Sequence, residues 1–381
     1  KQAEKYGFDS INSQFQFSKL MARVHRAIAK IEPHDSVERY TDLGVDCRQG
    51  EARFLSPWEV EIRNGDQVET LTARSIIIAS GARPFVPPIP GIEEMDILTS
   101  DNLWELDEQP ERLLVLGGGP IGCELAQTFA RLGSQVTQVQ RQPRLMVRED
   151  PEACQLVKQS LEDSGVQVLT GHNAIRFSNE AGEKYLHVEH EGEEKALPFD
   201  AVLVAVGRQA NTDNLGLETL ALPTDPDGTI QTNELLQSRY PNIYACGDVA
   251  GPYQFTHTAA HQAWYAAVNA LFGFLKSFKV DYRVIPWCTF TSPEVARVGV
   301  NEQEADEQGI DYEVTRYGID DLDRAIADSA DEGYVKVITA SGSDRILGVT
   351  IVGQHAGELI AEYVLAMKHG LGLNKILGTI H

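Results

Sequence analysis

The chain has 381 residues, with 33 Lys and Arg against 56 Asp and Glu and a formal charge of −23. That length holds two or three domains, each able to bury its own core. The charge works against binding nucleic acid or an anionic membrane surface, and no apolar run approaches the ~20 residues that span a bilayer.

A cytoplasmic enzyme without membrane insertion is therefore expected. The start, Lys1-Gln2-Ala3-Glu4-Lys5, is no signal peptide and reads as a helix already under way. Ser18–Ile31 follows as an amphipathic helix, with Leu20, Met21, Val24, Ala27, Ile28 and Ile31 at helical spacing. The stretch 51–64 alternates like a strand, and Gly65-Asp66 predicts a hairpin turn into Val68–Thr72. Residues 74–80 predict a buried strand that ends in the turn Gly81-Ala82-Arg83-Pro84.

The most informative stretch is 113–126, Leu-Leu-Val-Leu-Gly-Gly-Gly-Pro-Ile-Gly-Cys-Glu-Leu-Ala. Four apolar residues predict a buried parallel strand, and the glycines turn directly into a helix over Ile121–Leu132. Gly117 permits the tight turn, Gly119 lets backbone approach a pyrophosphate, and Gly122 lets helix and strand pack closely. The helix N-terminus offers N–H groups and a positive dipole end to the phosphates. A bare glycine turn is the alternative, but a second strand at Gln135–Gln140 stands where a dinucleotide fold needs it.

That second strand bears on which dinucleotide binds. No carboxylate stands about 20 residues on to accept from a ribose 2′-OH. Instead Gln140 can hydrogen-bond a ribose, and Arg141 and Arg144 can pair with a 2′-phosphate. The alternative is that both arginines merely face solvent; NADPH is favoured over NADH.

Beyond it the pattern predicts a helix at Pro151–Ser164, a strand at Val166–Thr170 and an acidic hairpin at His187–Leu197 turning at Glu191-Gly192-Glu193. Two further buried strands end in glycine, Asp200–Gly207 and Asn242–Gly247, and a long helix is expected over Thr258–Phe274. From about Val284 an α+β pattern takes over. Strands are expected at Trp287–Phe290, Ala296–Gly299, Gly333–Thr339 and Ile346–Val352, with helices at Glu302–Gln308 and Ala356–His369. The five cysteines, Cys47, Cys123, Cys154, Cys246 and Cys288, form no CxxC, CxxxxC or Cys/His cluster, so no metal site and no local redox pair can be drawn.

In this order the signals resemble the flavoprotein pyridine nucleotide-disulfide oxidoreductases, which include dihydrolipoamide dehydrogenase, glutathione reductase and mercuric reductase. The matching pieces are 79–84 (A-T-G-x-x-P), 117–124, 207–212 (G-R-x-P-N-T), 243–248 and 290–299, which looks like the family's F-T-x-P-E-x-A-x-V-G. The likeness is strongest to mercuric reductase-like members. It implies an α/β fold of Rossmann-like FAD- and NAD(P)-binding domains with a C-terminal α+β dimerisation domain. Residues 1–109 and 209–283 are then the remaining part of the FAD domain, 110–208 the NAD(P) domain and 284–381 the interface of a homodimer.

The resemblance also assigns site residues. The nicotinamide nucleotide would meet Gly117, Gly119, Pro120, Ile121, Gly122, Glu124, Gln140 and Arg141. FAD would meet Asp248, Thr256, His257 and Thr258, and Ser80, Gly81, Gly207 and Gly247 would also bind a cofactor. Asp248 would accept a ribitol hydroxyl, with helix capping as its alternative. Thr256–Thr258 would start the helix beneath the flavin pyrimidine, and His257 reads equally as a cap or packing residue. Glu124 matches a family Glu near the nicotinamide, whose usual partner is a lysine just after the redox cysteines, and Pro120-Ile121 leaves no aromatic gate.

The family's first GxGxxG, its C-x-x-x-x-C pair and its H-P-T segment with Glu have no counterpart in this chain. It therefore reads as a natural enzyme shortened at both ends, with the fragment itself expected to be inactive. His381 resembles the residue just ahead of the last motif and takes no catalytic role. FAD-dependent hydride transfer from NAD(P)H to a disulfide, metal ion or similar acceptor is expected. The rivals are a silent nucleotide-binding and dimerisation module, and a flavin reductase for quinones or dyes.

Overall fold

The structure, a computed structural model, describes Gly7, Asp9 and residues 15–381. The helix expected at Lys1–Lys5 lies outside the described residues. The chain forms two compact units: one contains Phe85–Gly207 and Arg283–His381, the other Ala22–Pro84 and Arg208–Tyr282.

In the first unit five parallel strands lie in the order Ile97–Leu98, Ala201–Val204, Arg112–Leu116, Gln135–Gln140, Val166–Thr170. Period-two alternation in Arg112–Leu116 explains the layers on either side. Leu113 and Val115 pack with Cys123, Ala126 and Phe129 of the helix Pro120–Leu132 and with Val157 and Leu161 of the helix Pro151–Asp163. Leu114 and Leu116 face the other way, onto Phe177, Leu186, Val188 and Phe199. Those four belong to an antiparallel sheet of Asn173–Glu180, Glu183–His190 and Glu193–Phe199. The expected acidic hairpin is its second half; the strand before it was not anticipated. Because Ile97–Leu98 pairs with Ala201–Val204, residues 85–109 join this unit rather than the segment 1–84 with which they were first grouped.

Within the same unit, Arg283–His381 builds its own antiparallel sheet in the order Pro286–Thr289, Glu294–Gly299, Ile346–Gly353, Tyr334–Ala340, Tyr312–Gly318. Val298, Val337, Val349 and Ile351 form its core with Ala356, Ile360 and Ala366 of the helix Ala356–Lys368.

In the second unit Glu51–Ser56, Glu59–Asn64 and Gln67–Thr72 form an antiparallel meander. The single strand-like stretch expected over 51–64 breaks at Pro57-Trp58, and the turn at Gly65-Asp66 forms as expected. Ile76–Ile78 pairs in parallel with Ile243–Ala245, and Ala82–Pro84 pairs antiparallel with Arg208–Ala210. A helix runs over Thr256–Phe272.

Candidate functional site

The glycine loop follows the strand Arg112–Leu116, and each glycine has a distinct steric reason. Gly117 has φ +119°, and a Cβ there would lie 2.3 Å from Ala205 O. A Cβ on Gly122 would lie 2.4 Å from Gly117 O, so helix and strand meet only because it is absent. Gly119 is different: a Cβ there would meet nothing within 4 Å. Backbone at Gly119 therefore borders open space at the start of the 13-residue helix Pro120–Leu132, where no side chain caps the end among the described residues. Pro120 and Ile121 are exposed on that first turn. This is the fit a dinucleotide pyrophosphate needs: free N–H groups, a positive dipole end and no side chain in the way.

Beneath the loop lies a residue the sequence reading missed. Gln138 is 0% exposed; its Nε2 donates to Gly117 O at 2.9 Å and lies 3.6 Å from Cys123 Sγ. A glutamine among the apolar positions of Gln135–Gln140 was the available signal. Burial pushes the Cys123 thiol up to about 12, which makes it a packing group rather than a nucleophile.

The loop after Gln140 supports Gly118 from outside. Gly118 O accepts from Met146 N at 2.7 Å, and the Gln140 side chain packs where a Gly118 Cβ would stand. Gln140 Nε2 reaches Arg144 O at 3.4 Å. Arg144 does not serve as an anion site: its guanidinium donates to Val147 O at 3.1 Å and to Gln303 Oε1 at 2.5 Å. Arg141 is exposed, on the loop that leaves the strand's carboxyl end. Of the two arginines, Arg141 alone remains available for a 2′-phosphate.

Glu124 lies on the same helix and is tied elsewhere. Its Oε1 accepts from Phe290 N at 2.8 Å. Burial raises its pKa, and the Phe290 N–H offsets part of that rise. Burial, together with Glu294 and Glu124, also pushes the Cys288 thiol up to about 12.

The other expected cofactor residues lie in the second unit, Gly207 excepted. Ser80 Oγ donates to Asn211 O at 2.7 Å, Asn211 Nδ2 donates to Ser80 O at 2.9 Å and Asn211 N donates to Gly81 O at 2.9 Å. Gly207, in the first unit, has φ +145° and accepts from Phe85 N at 3.0 Å. Gly247 (φ +75°) turns the chain after Ile243–Ala245, and its N–H donates to Gln262 Oε1 at 2.7 Å. Gln262, another residue not anticipated, also donates to Gly251 O and Tyr282 Oη, fastening the helix to the glycine turn. Asp248 Oδ2 lies 3.3 Å from Arg208 Nε. The helix Thr256–Phe272 begins without a side-chain cap among the described residues. Its Thr258 Oγ1 is buried with no hydrogen-bond partner among the described residues, while the exposed His257 ring stacks on Phe255 at 5.4 Å between centroids. An orphaned buried hydroxyl, an uncapped helix end and a carboxylate after a glycine turn fit a polyhydroxyl nucleotide cofactor.

Among the described residues no group of three His, Cys, Asp or Glu is placed to hold a metal ion, and no helix is long and apolar enough to cross a membrane. All five cysteines are free, with Cys123, Cys154 and Cys246 buried.

Known proteins share this arrangement. A family described as pyridine nucleotide-disulphide oxidoreductase matches residues 9–263, and its dimerisation domain matches 285–381. Mercuric reductase from Staphylococcus aureus is 38% identical over 343 residues, covering 89% of this chain and 62% of that protein. Dihydrolipoyl dehydrogenase from Thermus scotoductus is also 38% identical over 343 residues, covering 88% and 72%. The HOCl-induced flavoprotein disulfide reductase RclA from Escherichia coli superposes with a TM-score of 0.85 at 28% identity, covering 96% of this chain and 83% of that one. The chain thus spans roughly three-fifths of the S. aureus mercuric reductase. On the glycine loop and these matches together, the chain belongs to the pyridine nucleotide-disulphide oxidoreductase family.

Proposed function

We propose that this chain serves a FAD-dependent oxidoreductase that takes reducing equivalents from NADPH and delivers them to a disulfide or a metal ion such as mercuric ion. One observation carries the nucleotide half: the open space at Gly119 beside a helix start that no side chain caps among the described residues. The names of the relatives, mercuric reductase and dihydrolipoyl dehydrogenase, support the acceptor classes. Bound flavin supplies the hydride chemistry, and the chain's residues hold and orient it. The thiol step of such a reaction is not assigned to Cys123, Cys154 or Cys288, whose pKa values of about 12, 11 and 12 leave them protonated at neutral pH. Five free cysteines fit a reducing compartment, consistent with a cytoplasmic setting.

Calorimetric titration tests the choice of dinucleotide. NADPH is expected to bind more tightly than NADH, and Arg141→Ala to remove most of that difference, about 1.5–3 kcal/mol for a charge-assisted contact. Equal affinities in the unaltered chain would refute it. Asp248→Ala is expected to weaken flavin retention by about 1–3 kcal/mol, read as the flavin-to-protein ratio after dialysis. An unchanged ratio would leave Asp248 as only the partner of Arg208.

The dimerisation domain supports a homodimer. Of the apolar stripe on Ala356–Lys368, Ile360 is buried and Tyr363, Val364 and Met367 pack into the domain's own core. Leu359 and Leu365 stay 52% and 59% exposed, and Leu377 is 74% exposed. Those outward residues are the surface left for a second copy. Light scattering at micromolar concentration is expected to give twice the 42.0 kDa chain mass; the single mass would overturn this reading.

A further inference from the structure

A cavity of about 380 Å³ opens within the second unit, lined by none of the residues assigned to a cofactor. Its walls include Arg74, Leu235, Gln237, Tyr244 on the strand Ile243–Ala245, Asn269 near the end of the helix Thr256–Phe272, and Phe274 just beyond that end. The volume lies in the range of sites that take small molecules. Hydrogen bonds within the unit hold the walls. Asn269 Nδ2 donates to Leu235 O at 3.2 Å and Phe278 O at 2.8 Å, and its Oδ1 accepts from Phe278 N at 2.8 Å. Gln237 Nε2 donates to Pro241 O at 2.9 Å and to Tyr244 Oη at 3.4 Å, and its Oε1 accepts from Asn233 Nδ2 at 3.1 Å. Both amides are engaged with the protein itself.

Two groups on the same cavity are not. Tyr244 is 5% exposed; its hydroxyl accepts from Gln237, and its own proton finds no acceptor among the described residues. The Arg74 guanidinium makes no hydrogen bond or ion pair among the described residues. These uncommitted side-chain groups are donors: a phenol O–H and the guanidinium N–H fork. The complementary ligand group is an acceptor, and an anionic acceptor also meets the arginine's full charge. No lining residue is acidic, in a chain with 56 Asp and Glu against 33 Lys and Arg. Glu234, beside Leu235 in sequence, is paired with Lys279. The end of the helix Thr256–Phe272 opposes an anion through its dipole. Its carbonyls are partly engaged: Asn269 O accepts from Gly273 N at 2.9 Å, and Phe272 O accepts from Leu275 N at 2.8 Å and Lys276 N at 3.2 Å. Phe274 is 80% exposed, an uncovered ring on which an apolar body can rest. An arginine that merely faces solvent needs no buried phenol with an unused proton on the same cavity.

We propose that this cavity binds a small organic anion, one carboxylate or phosphate on an apolar body. Arg74 and the Tyr244 hydroxyl hold the anionic head, and Leu235 and Phe274 flank the body. The site goes beyond the oxidoreductase reading above and does not depend on it.

The test titrates the unaltered 381-residue chain, Arg74→Gln, Phe274→Ala and Tyr244→Phe with three probes, followed by fluorine NMR line width. The probes are para-fluorobenzoate, para-fluorophenyl phosphate and the neutral para-fluorobenzyl alcohol. Arg74 and Phe274 are exposed, so their variants are expected to fold as the unaltered chain does, checked by circular dichroism. Both anions are expected to bind the unaltered chain about tenfold more tightly than the alcohol, and the tighter of the two names the head group. Arg74→Gln is expected to weaken both anions about tenfold and leave the alcohol unmoved. Tyr244→Phe, which keeps the ring, is expected to weaken both about threefold, and Phe274→Ala to weaken all three probes. Anions that bind no more tightly than the alcohol would overturn the inference. So would anion affinities unmoved by Arg74→Gln, which would put the anions elsewhere, at the glycine loop for example. An equal loss of all three probes in Arg74→Gln would make the arginine a packing group and overturn it too. NADPH affinity is expected to be the same in every variant, so failure here leaves the dinucleotide reading standing.

Discussion

Arg297→Met is expected to cost about 3–5 kcal/mol of stability, because it strips the cation from a buried ionic cluster. Arg297 is 1% exposed and stacks over the Trp287 ring at 4.3 Å. It donates to Arg148 O at 2.9 Å and Glu304 Oε1 at 2.5 Å, and its Nε lies 3.6 Å from Glu149 Oε2. Glu149 is 5% exposed, and burial already raises its pKa against the pull of Arg297. With Arg297 gone that carboxylate has no cation and must ionise in a dry site or stay protonated. A raised carboxyl pKa means the folded state holds a proton that the unfolded chain has released. The variant's stability should therefore fall further as pH rises from the ordinary carboxylate range through the raised value. Arg297→Met with Glu149→Gln is expected to recover much of the loss, since Gln Oε1 can still accept from Trp287 Nε1, now 2.8 Å from Glu149. Urea midpoints followed by circular dichroism decide it, and a loss below about 1 kcal/mol would sink the argument.

Gly119→Ala should separate binding from folding. The new methyl meets no protein atom within 4 Å, so stability is expected to change by no more than about 1 kcal/mol, the scale of an N-cap substitution. The methyl would nevertheless occupy the space where a diphosphate approaches the backbone, and NADPH affinity is expected to drop more than about tenfold. Gly117→Ala is the counterpart: a Cβ 2.3 Å from Ala205 O at φ +119° must displace backbone, so it should destabilise the unit as well as abolish binding. Undiminished NADPH binding by Gly119→Ala would remove the pyrophosphate from that position.

The strands and helices around the glycine loop were legible because their signals are local. Gln135–Gln140 and Val166–Thr170 form over the expected residues, and Pro120–Leu132 starts one residue early, since a proline suits the first helical turn. Tyr312–Gly318 escaped notice because it is an edge strand with no buried residue, so nothing selects an alternating pattern. Asn173–Glu180 buries only Phe177 among eight residues and was missed for the same reason. The site was legible where one residue type has one steric purpose, as at Gly117 and Gly122. It was not where long-range partners decide. Arg144 looked like a phosphate ligand until Gln303, 159 positions on, claimed it. Glu124 accepts from the Phe290 N–H, 166 positions on, a partner that no local signal announces.

The segment after the second strand has a further consequence. Between Arg144 and Glu152 it is tied to the C-terminal domain at several points. Arg148 O accepts from Arg297 and Asn301, Lys336 Nζ lies 3.2 Å from Asp150 and 2.6 Å from Glu302, and Arg316 pairs with Glu152. Burial opposes the Lys336 charge most strongly, yet Glu302 and Asp150 together raise its pKa. A recombinant chimera that imports residues 110–208 from a relative would thus bring one half of a matched set of charges and leave the other half behind. Exchange of this module between relatives should succeed only when the crossover carries Arg283–His381 with it, or when Arg297 and Lys336 are already present in the recipient. The unit of inheritance here is the pair of sheets, although each alone has the look of a separable domain.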